Sequence, residues 1–252
     1  MEPGNRPVTV VTGGSRGIGA ATAIRLARAG HDLAVAYRDD DAAAARRSAA
    51  VTAQRARCVL VRADVARDDD VERLFAAATQ QLGPVTGLVN NAGLTAHIGD
   101  LVDTPVEVIR RVIDVNLVGA VLCARRAAQL MSVRRAGRGG AIVNVSSCAA
   151  TLGSAHEYVH YAAAKAAVDA LTVGLAKELA DDQIRVNAVA PGVVRTRIHA
   201  DAGDPGRADR VAGRVPLGRP GEPDEIAAAI AWLLGPEASY VTGTVLRAAG
   251  GL

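Results

Sequence analysis

Tyr161 and Lys165 stand in the run Tyr-Ala-Ala-Ala-Lys. Four residues apart on a helix, their side chains share one face. An ammonium one turn from a phenol favours the phenolate and draws the Tyr pKa from about 10 toward neutral. A tyrosine poised in that way passes a proton to or from a carbonyl or an alcohol. Lys is scarce here: Lys165 and Lys177 are the only two, and Arg supplies the remaining strong bases. A lone Tyr-x-x-x-Lys is more often a surface Lys beside a half-buried Tyr. The chemical reading therefore rests on other motifs at consistent distances.

The first lies near the start of the chain. The apolar run Val8–Val11 enters Thr12-Gly13-Gly14-Ser15-Arg16-Gly17-Ile18-Gly19, and an Ala-rich stretch follows. Glycines let backbone approach a pyrophosphate, and a helix N-terminus offers free N–H groups and a partial positive charge. The spacing is Gly-x-x-x-Gly-x-Gly, not the common Gly-x-Gly-x-x-Gly. At the end of the next strand, an acidic residue would bond the ribose 2′-OH of NAD, whereas Arg would take the 2′-phosphate of NADP. This chain has Tyr37-Arg38 there and Arg16 in the glycine turn. Two Arg converging on a dianionic phosphate favour NADP(H) over NAD(H). Asp39-Asp40-Asp41 follow at once and count against a phosphate there; the plainer reading is that they start the next helix, where acidic residues suit the dipole. Asp64-Val65 would set a carboxylate beside the adenine amino group. Asn90-Asn91-Ala92-Gly93 closes the fourth strand, on the side where a ligand crevice forms. Asp, Asn and Gly are also ordinary turn residues, so both runs have a plainer reading.

The elements that must position these residues alternate strictly. Strands are predicted at 8–11, 32–37, 57–62, 87–90, 141–146, 184–190 and 244–248, and helices at 17–29, 42–55, 69–82, 105–131, 158–180 and 223–234. The helix over 105–131 allows a break. Such alternation predicts an α/β fold: a doubly wound, Rossmann-type parallel sheet with right-handed crossovers and helices on both faces. No repeat and no linker divides the chain, so 1–252 is expected to be a single dinucleotide-binding domain. The segment 192–222, rich in Gly, Pro, Asp and Arg, is its one long irregular region and is expected to act as a substrate lid.

Composition bounds the function. Half of the 252 residues are hydrophobic and 22% are charged, a normal globular balance. Aromatics make up only 2%, so the core must be Ala, Val, Leu and Ile. The net charge of +3 comes from scattered Arg without interleaved aromatics, which argues against a nucleic-acid partner. Cys58, Cys123 and Cys148 have neither metal nor disulfide spacing. No run approaches about 18 apolar residues, so a soluble, cytoplasmic protein without a membrane partner is expected.

Taken together, the glycine turn, Asn90-Asn91-Ala92-Gly93, Asn116, Ser147, Tyr161 with Lys165, and Pro191-Gly192 resemble the short-chain dehydrogenase/reductase family. The resemblance runs from Val8 to Gly251 in the family's motif order. It implies a seven-stranded parallel sheet, a homotetramer, and hydride transfer between nicotinamide and a small carbonyl or alcohol. By resemblance Tyr161 is the general acid/base, Lys165 holds the nicotinamide ribose, and Ser147 bonds the substrate oxygen. Asn116 supports a helix bend and a proton-relay water. Thr196 and the backbone near Val194 reach the nicotinamide carboxamide. Sugar dehydrogenases and 3-oxoacyl-carrier-protein reductases are the nearest in type. One departure stands out. The family's Ser commonly lies thirteen residues before the Tyr, where this chain has Cys148, and Ser147 is one residue further. A thiol is a poor donor for the task, so an inserted residue is placed within 151–160. The alternative is a catalytically silent, dinucleotide-binding regulatory protein. Such proteins usually lack the Tyr or Lys retained here, and binding without turnover on a carbonyl panel would mark one.

Overall fold

Strands covered by helices on both faces must be apolar throughout, and β2 (Asp32–Tyr37) meets that condition with Leu33, Ala34, Val35 and Ala36 all buried. The computed structural model describes residues 6–252; residues 1–5 of the expected 1–252 unit lie outside it. Along the chain come β1 (Val8–Val11), α1 (Gly17–Arg28), β2, α2 (Asp41–Thr52), β3 (Cys58–Arg62), α3 (Asp68–Leu82) and β4 (Val85–Asn90). The second half holds α4 (Val106–Ile113), α5 (Gly119–Met131), β5 (Gly140–Val145), α6 (Ala149–Leu152), α7 (Val159–Glu178), β6 (Ile184–Pro191), α8 (Arg207–Arg210), α9 (Pro223–Leu234) and β7 (Val245–Ala248).

All seven strands form one parallel sheet in the order β3-β2-β1-β4-β5-β6-β7. On one face Leu74 and Phe75 of α3 and Cys123, Ala127 and Met131 of α5 pack on Val10, Leu88 and Ile142. On the other, Ala23 and Leu26 of α1 and Ile226, Ile230 and Leu233 of α9 pack on Val11, Val89 and Val143. The strand order reverses between β1 and β4. Crevices in doubly wound sheets open at the carboxyl ends of the strands at such a point.

The alternation was legible to within a few residues. Three differences carry meaning. The expected helix over 105–131 is two helices joined by a widened π turn at Asp114–Val118. The stretch 151–160 begins inside α6 and then takes left-handed backbone at Gly153, Ser154 and His156 before α7. The irregular segment 192–222 is anchored by a parallel bridge between Val194 and Gly221 and contains α8.

Candidate active site

The glycine turn is closely stitched to the end of β4. Thr12 Oγ1 accepts from Asn91 N at 2.9 Å and Ala92 N at 3.0 Å, while Asn91 Nδ2 donates to the carbonyls of Thr12 and Gly13. Gly13 is left-handed, and a Cβ on Gly19 would stand 2.4 Å from Gly13 O. No side chain caps α1, and its first turn holds no acid, so its N–H groups face the cleft free of a competing anion. Ser15, Gly17 and Ile18 line the same cleft, with Asn91 acting chiefly as a brace for the turn.

Around the adenosine end, Tyr37 and Arg38 lie at the cleft as expected. The three acids after Arg38 divide their work differently from the expectation. Asp40 caps α2 by accepting from Ala43 N at 2.8 Å, and Asp41 begins the helix, but Asp39 pairs with Arg38 itself. Arg16 meets Asp201 of the lid segment at 2.8 Å. Asp64 accepts from Ala66 N and pairs with Arg111 at 2.7 Å, and Val65 packs where Gly119 leaves room.

At the other end, the loop after β5 and the first turns of α7 bring the expected proton-transfer group together. The Ser147 hydroxyl accepts from Ala149 N at 3.1 Å and lies beside the Tyr161 phenol, whose charged form it favours. Cys148 is buried beside them, its thiol pushed up by burial. Left-handed backbone at Gly153, Ser154 and His156 turns the chain between Ser147 and α7. Lys165 Nζ lies 5.6 Å from the Tyr161 ring centroid and donates to Val145 O at 2.8 Å.

The expected lowering of the Tyr161 pKa by Lys165 is not what this arrangement produces. Burial drives Tyr161 well above the usual phenol value, with Ser147 opposing only in part. Burial also lowers Lys165 to about 8, so its ammonium is itself penalised and directed to a carbonyl.

The π turn has a visible cause. Asn116 Nδ2 donates to Val112 O, one turn back, at 2.9 Å and to Leu94 O at 2.8 Å, which opens the helix ladder. Its Oδ1 is buried without a partner among the described residues and faces Gly93, whose Cβ would sit 2.7 Å away. The same missing Cβ would lie 3.6 Å from Lys165 Nζ. Gly93 thus keeps a gap open between Asn116 and Lys165.

Pro191 ends β6, and Gly192 passes so close to Ala249 that a Cβ would meet its Cα at 2.8 Å. Val194 and Thr196 then turn over the glycine loop, with the Thr196 methyl 3.3 Å from where a Gly17 Cβ would be. The cleft enclosed by these elements measures about 880 Å³ and reaches from Arg38 to Tyr161.

The segment 192–222 is crossed by ion pairs. It is rich in Arg but not freely basic. Arg195 pairs with Asp209 and Glu222, Arg197 with Asp201, Arg207 with Glu157, Arg210 with Asp204, and Arg219 with Glu225. Sequence reasoning did not find Arg111 opposite Asp64, Asp201 opposite Arg16 or Arg207 opposite Glu157. Those partners lie tens to hundreds of residues apart, where no local pattern signals them. Arg247, in the place before the closing glycines, donates to Thr151 Oγ1 and to Leu252 O and so ties β7 to α6 and the chain end.

A cleft at the switch point of a Rossmann sheet, with a glycine cradle at one end and a Ser–Tyr–Lys group at the other, defines a dinucleotide-dependent oxidoreductase class. Comparison with known proteins agrees. Residues 13–252 match the family described as enoyl-(acyl carrier protein) reductase. An oxidoreductase of Escherichia coli named YgfF, itself described as uncharacterized, is 45% identical over 244 residues, covering 97% of this chain and 99% of that one. A crystal structure of a short-chain type dehydrogenase/reductase from Mycobacterium marinum superposes with a TM-score of 0.90 at 33% identity, covering 97% and 94% of the two chains. A blue fluorescent protein from a metagenomic library, crystallised with NADPH, does so with a TM-score of 0.89 at 34% identity, covering 99% of each. The chain belongs to the short-chain dehydrogenase/reductase family and is an enzyme acting on alcohol and carbonyl groups. No described helix is long and apolar enough to cross a membrane.

Proposed function

We propose that this protein is an NADP(H)-dependent oxidoreductase that interconverts a small carbonyl compound and its alcohol, with Tyr161 as the general acid/base. The observation that carries the reading is one cleft lined by Ser147, Tyr161 and Lys165 at one end and by the glycine turn at the other. The cradle fits a pyrophosphate because Gly13 and Gly19 let the turn fold tightly onto Asn91 and Ala92, and the uncapped start of α1 holds no acid in its first turn. The NADPH in the similar metagenomic protein supports the same cofactor class here. Gly13, Ser15, Gly17, Ile18 and Gly19 would hold the phosphates, Asp64 and Val65 the adenine, and Asn91, Ala92, Gly93, Pro191, Gly192, Val194 and Thr196 the nicotinamide half. The cofactor supplies or accepts the hydride.

The chain's own residues handle the proton. Ser147 orients the substrate oxygen. Tyr161 delivers its phenolic proton to that oxygen as negative charge develops there, and takes it back in the reverse direction. A phenol held above its usual pKa is protonated at neutral pH, the form that carbonyl reduction needs. Alcohol oxidation needs the phenolate, so its rate rises with pH. Lys165, fixed by Val145 O, would hold the ribose, and Asn116 Oδ1 would accept from a water on the route that reprotonates Tyr161. The segment 192–222 would close over substrate and exclude water.

NADP(H) is favoured over NAD(H) because Arg16 and Arg38 both border the adenosine end. Their carboxylate partners, Asp201 and Asp39, stand at exposed positions, where such pairs are weak and a phosphate dianion would displace them. The test is a turnover screen with NADPH and NADH across ketones, sugars, quinones and β-ketoacyl thioesters, run beside Arg38→Asp. One charge-assisted contact is worth about 1.5–3 kcal/mol. Arg38→Asp is therefore expected to move the NADPH/NADH ratio of kcat/KM at least about tenfold toward NADH. An unchanged ratio removes Arg38 from the 2′-phosphate site.

A further inference from the structure

The substrate half of the cleft contains a charge that proton transfer does not use. Arg207, in the lid helix α8, is only 6% exposed. Guanidinium groups are seldom buried unless paired. Here Nη1 and Nη2 donate to the two Glu157 oxygens at 2.6 and 2.5 Å, and Nη2 donates to the Tyr158 hydroxyl at 3.1 Å. The guanidinium lies 5.3 Å from the Tyr158 ring centroid. That ring meets Tyr161 edge-on at 5.4 Å and stacks on His199 at 6.4 Å. Arg207, Glu157, Tyr158 and His199 therefore form one connected wall, which lines the cleft and begins one ring away from Tyr161.

The charge of this wall is balanced within itself. Both arms of the Arg207 fork are taken by Glu157 in bidentate geometry, the strongest form of the pair. Burial, reinforced by Arg207, lowers His199 to about 4, so its ring is neutral at pH 7. Arg214, which has no ion pair among the described residues, is exposed at the cleft margin, where water screens it. A carboxylate brought against this wall would have to displace Glu157 from its buried partner Arg207 and leave one half-buried anion unpaired. An uncharged oxygen meets no such penalty. Arg207 Nε and His199 Nδ1 are both buried and without hydrogen-bond partners among the described residues.

We propose that the Glu157–Arg207 pair determines substrate specificity, selecting uncharged substrates with a second oxygen, of the neutral hydroxycarbonyl or polyol class, and excluding carboxylates. The inference rests on the oxidoreductase reading of the cleft, but its test does not require turnover. The NADPH-loaded protein is titrated calorimetrically with benzoate and with benzyl alcohol, which share a ring and differ in charge. Glu157→Gln keeps the shape and removes the anion, so Arg207 becomes free to receive a carboxylate. Benzoate affinity is expected to rise at least about tenfold in Glu157→Gln while benzyl alcohol stays within about twofold. The gain should vanish in the double variant Glu157→Gln/Arg207→Gln. Glu157→Asp, which keeps the anion, should discriminate as the parent does. Equal benzoate affinity in the parent and Glu157→Gln overturns the proposal, as does a gain that persists without Arg207. Should Glu157→Gln fail to fold, Glu157→Ser is read by the same titration. An absence of NADPH binding counts against the cofactor reading, and the benzoate comparison is then made on the free protein.

Discussion

At the scale of single residues, burial decides more than proximity does. Lys165 lies one helical turn from Tyr161, yet both groups are desolvated and the ammonium donates to Val145 O. Burial therefore favours the protonated phenol, the form that the acid role proposed for it needs. Ser147 and Cys148 offer the sharpest contrast, since both adjoin Tyr161 and only one is a good hydrogen-bond donor. Ser147→Ala is expected to lower kcat by about a hundredfold or more, in the range of a lost oxyanion-type donor. Cys148→Ala should stay within a fewfold of the parent. Steady-state kinetics on the best carbonyl from the screen decides between them, and the opposite ranking would reassign the inserted residue. Tyr-x-x-x-Lys and the glycine turn were legible because their chemistry is local. The direction of the Tyr161 shift was not, because it depends on what buries the ring.

Among the elements, the segment 192–222 combines a few buried valines, Val194, Val211 and Val215, with a set of ion pairs. Its two ends are joined at Val194 and Gly221, and Arg16 and Glu157 tie its middle to the glycine turn and to the loop before α7. Most of these pairs are exposed, and exposed pairs contribute little each. We therefore expect residues 195–215 to exchange amide hydrogens readily in the free protein and to become protected once NADP and substrate are bound. Equal, strong protection in both states would make the segment a static wall. Hydrogen exchange followed by mass spectrometry reads the difference. The long Gly/Pro/Arg composition announced an irregular region. It did not announce which Arg meets which acid, because those contacts are set by the folded sheet. The π turn shows the same limit: one helix with a possible break is visible in 105–131, but the opening is caused by Asn116 reaching back to Val112 O.

For the whole molecule, the apolar side chains left outside are informative. Val102, Val106, Ile113, Val118 and Val121 are exposed on or beside α4 and α5. Isolated exposed hydrophobes are common, but a run along neighbouring helices suits an interface between copies of the chain. We propose a homotetramer that covers this face. Light scattering should give about four chain masses, and Val106→Asp/Val121→Asp should reduce it. A monodisperse single-chain mass in the parent would contradict the assembly. The parallel sheet and its two-sided core followed from strict alternation of apolar runs and Ala-rich helices, such as Val8–Val11 followed by α1. The assembly did not, because no local pattern separates a helix face that meets solvent from one that meets a partner.

The central claim is that Tyr161 moves the proton in an NADP-dependent carbonyl/alcohol reaction. Tyr161→Phe keeps the ring that packs on Tyr158 and removes only the proton. The direct measurement is single-turnover oxidation of bound NADPH by a carbonyl substrate, in the parent and in Tyr161→Phe, beside NADPH affinity by fluorescence. The rate is expected to fall at least about a hundredfold, the lower range for loss of a general acid, with NADPH affinity nearly unchanged. A Tyr161→Phe protein that turns over like the parent would contradict the claim.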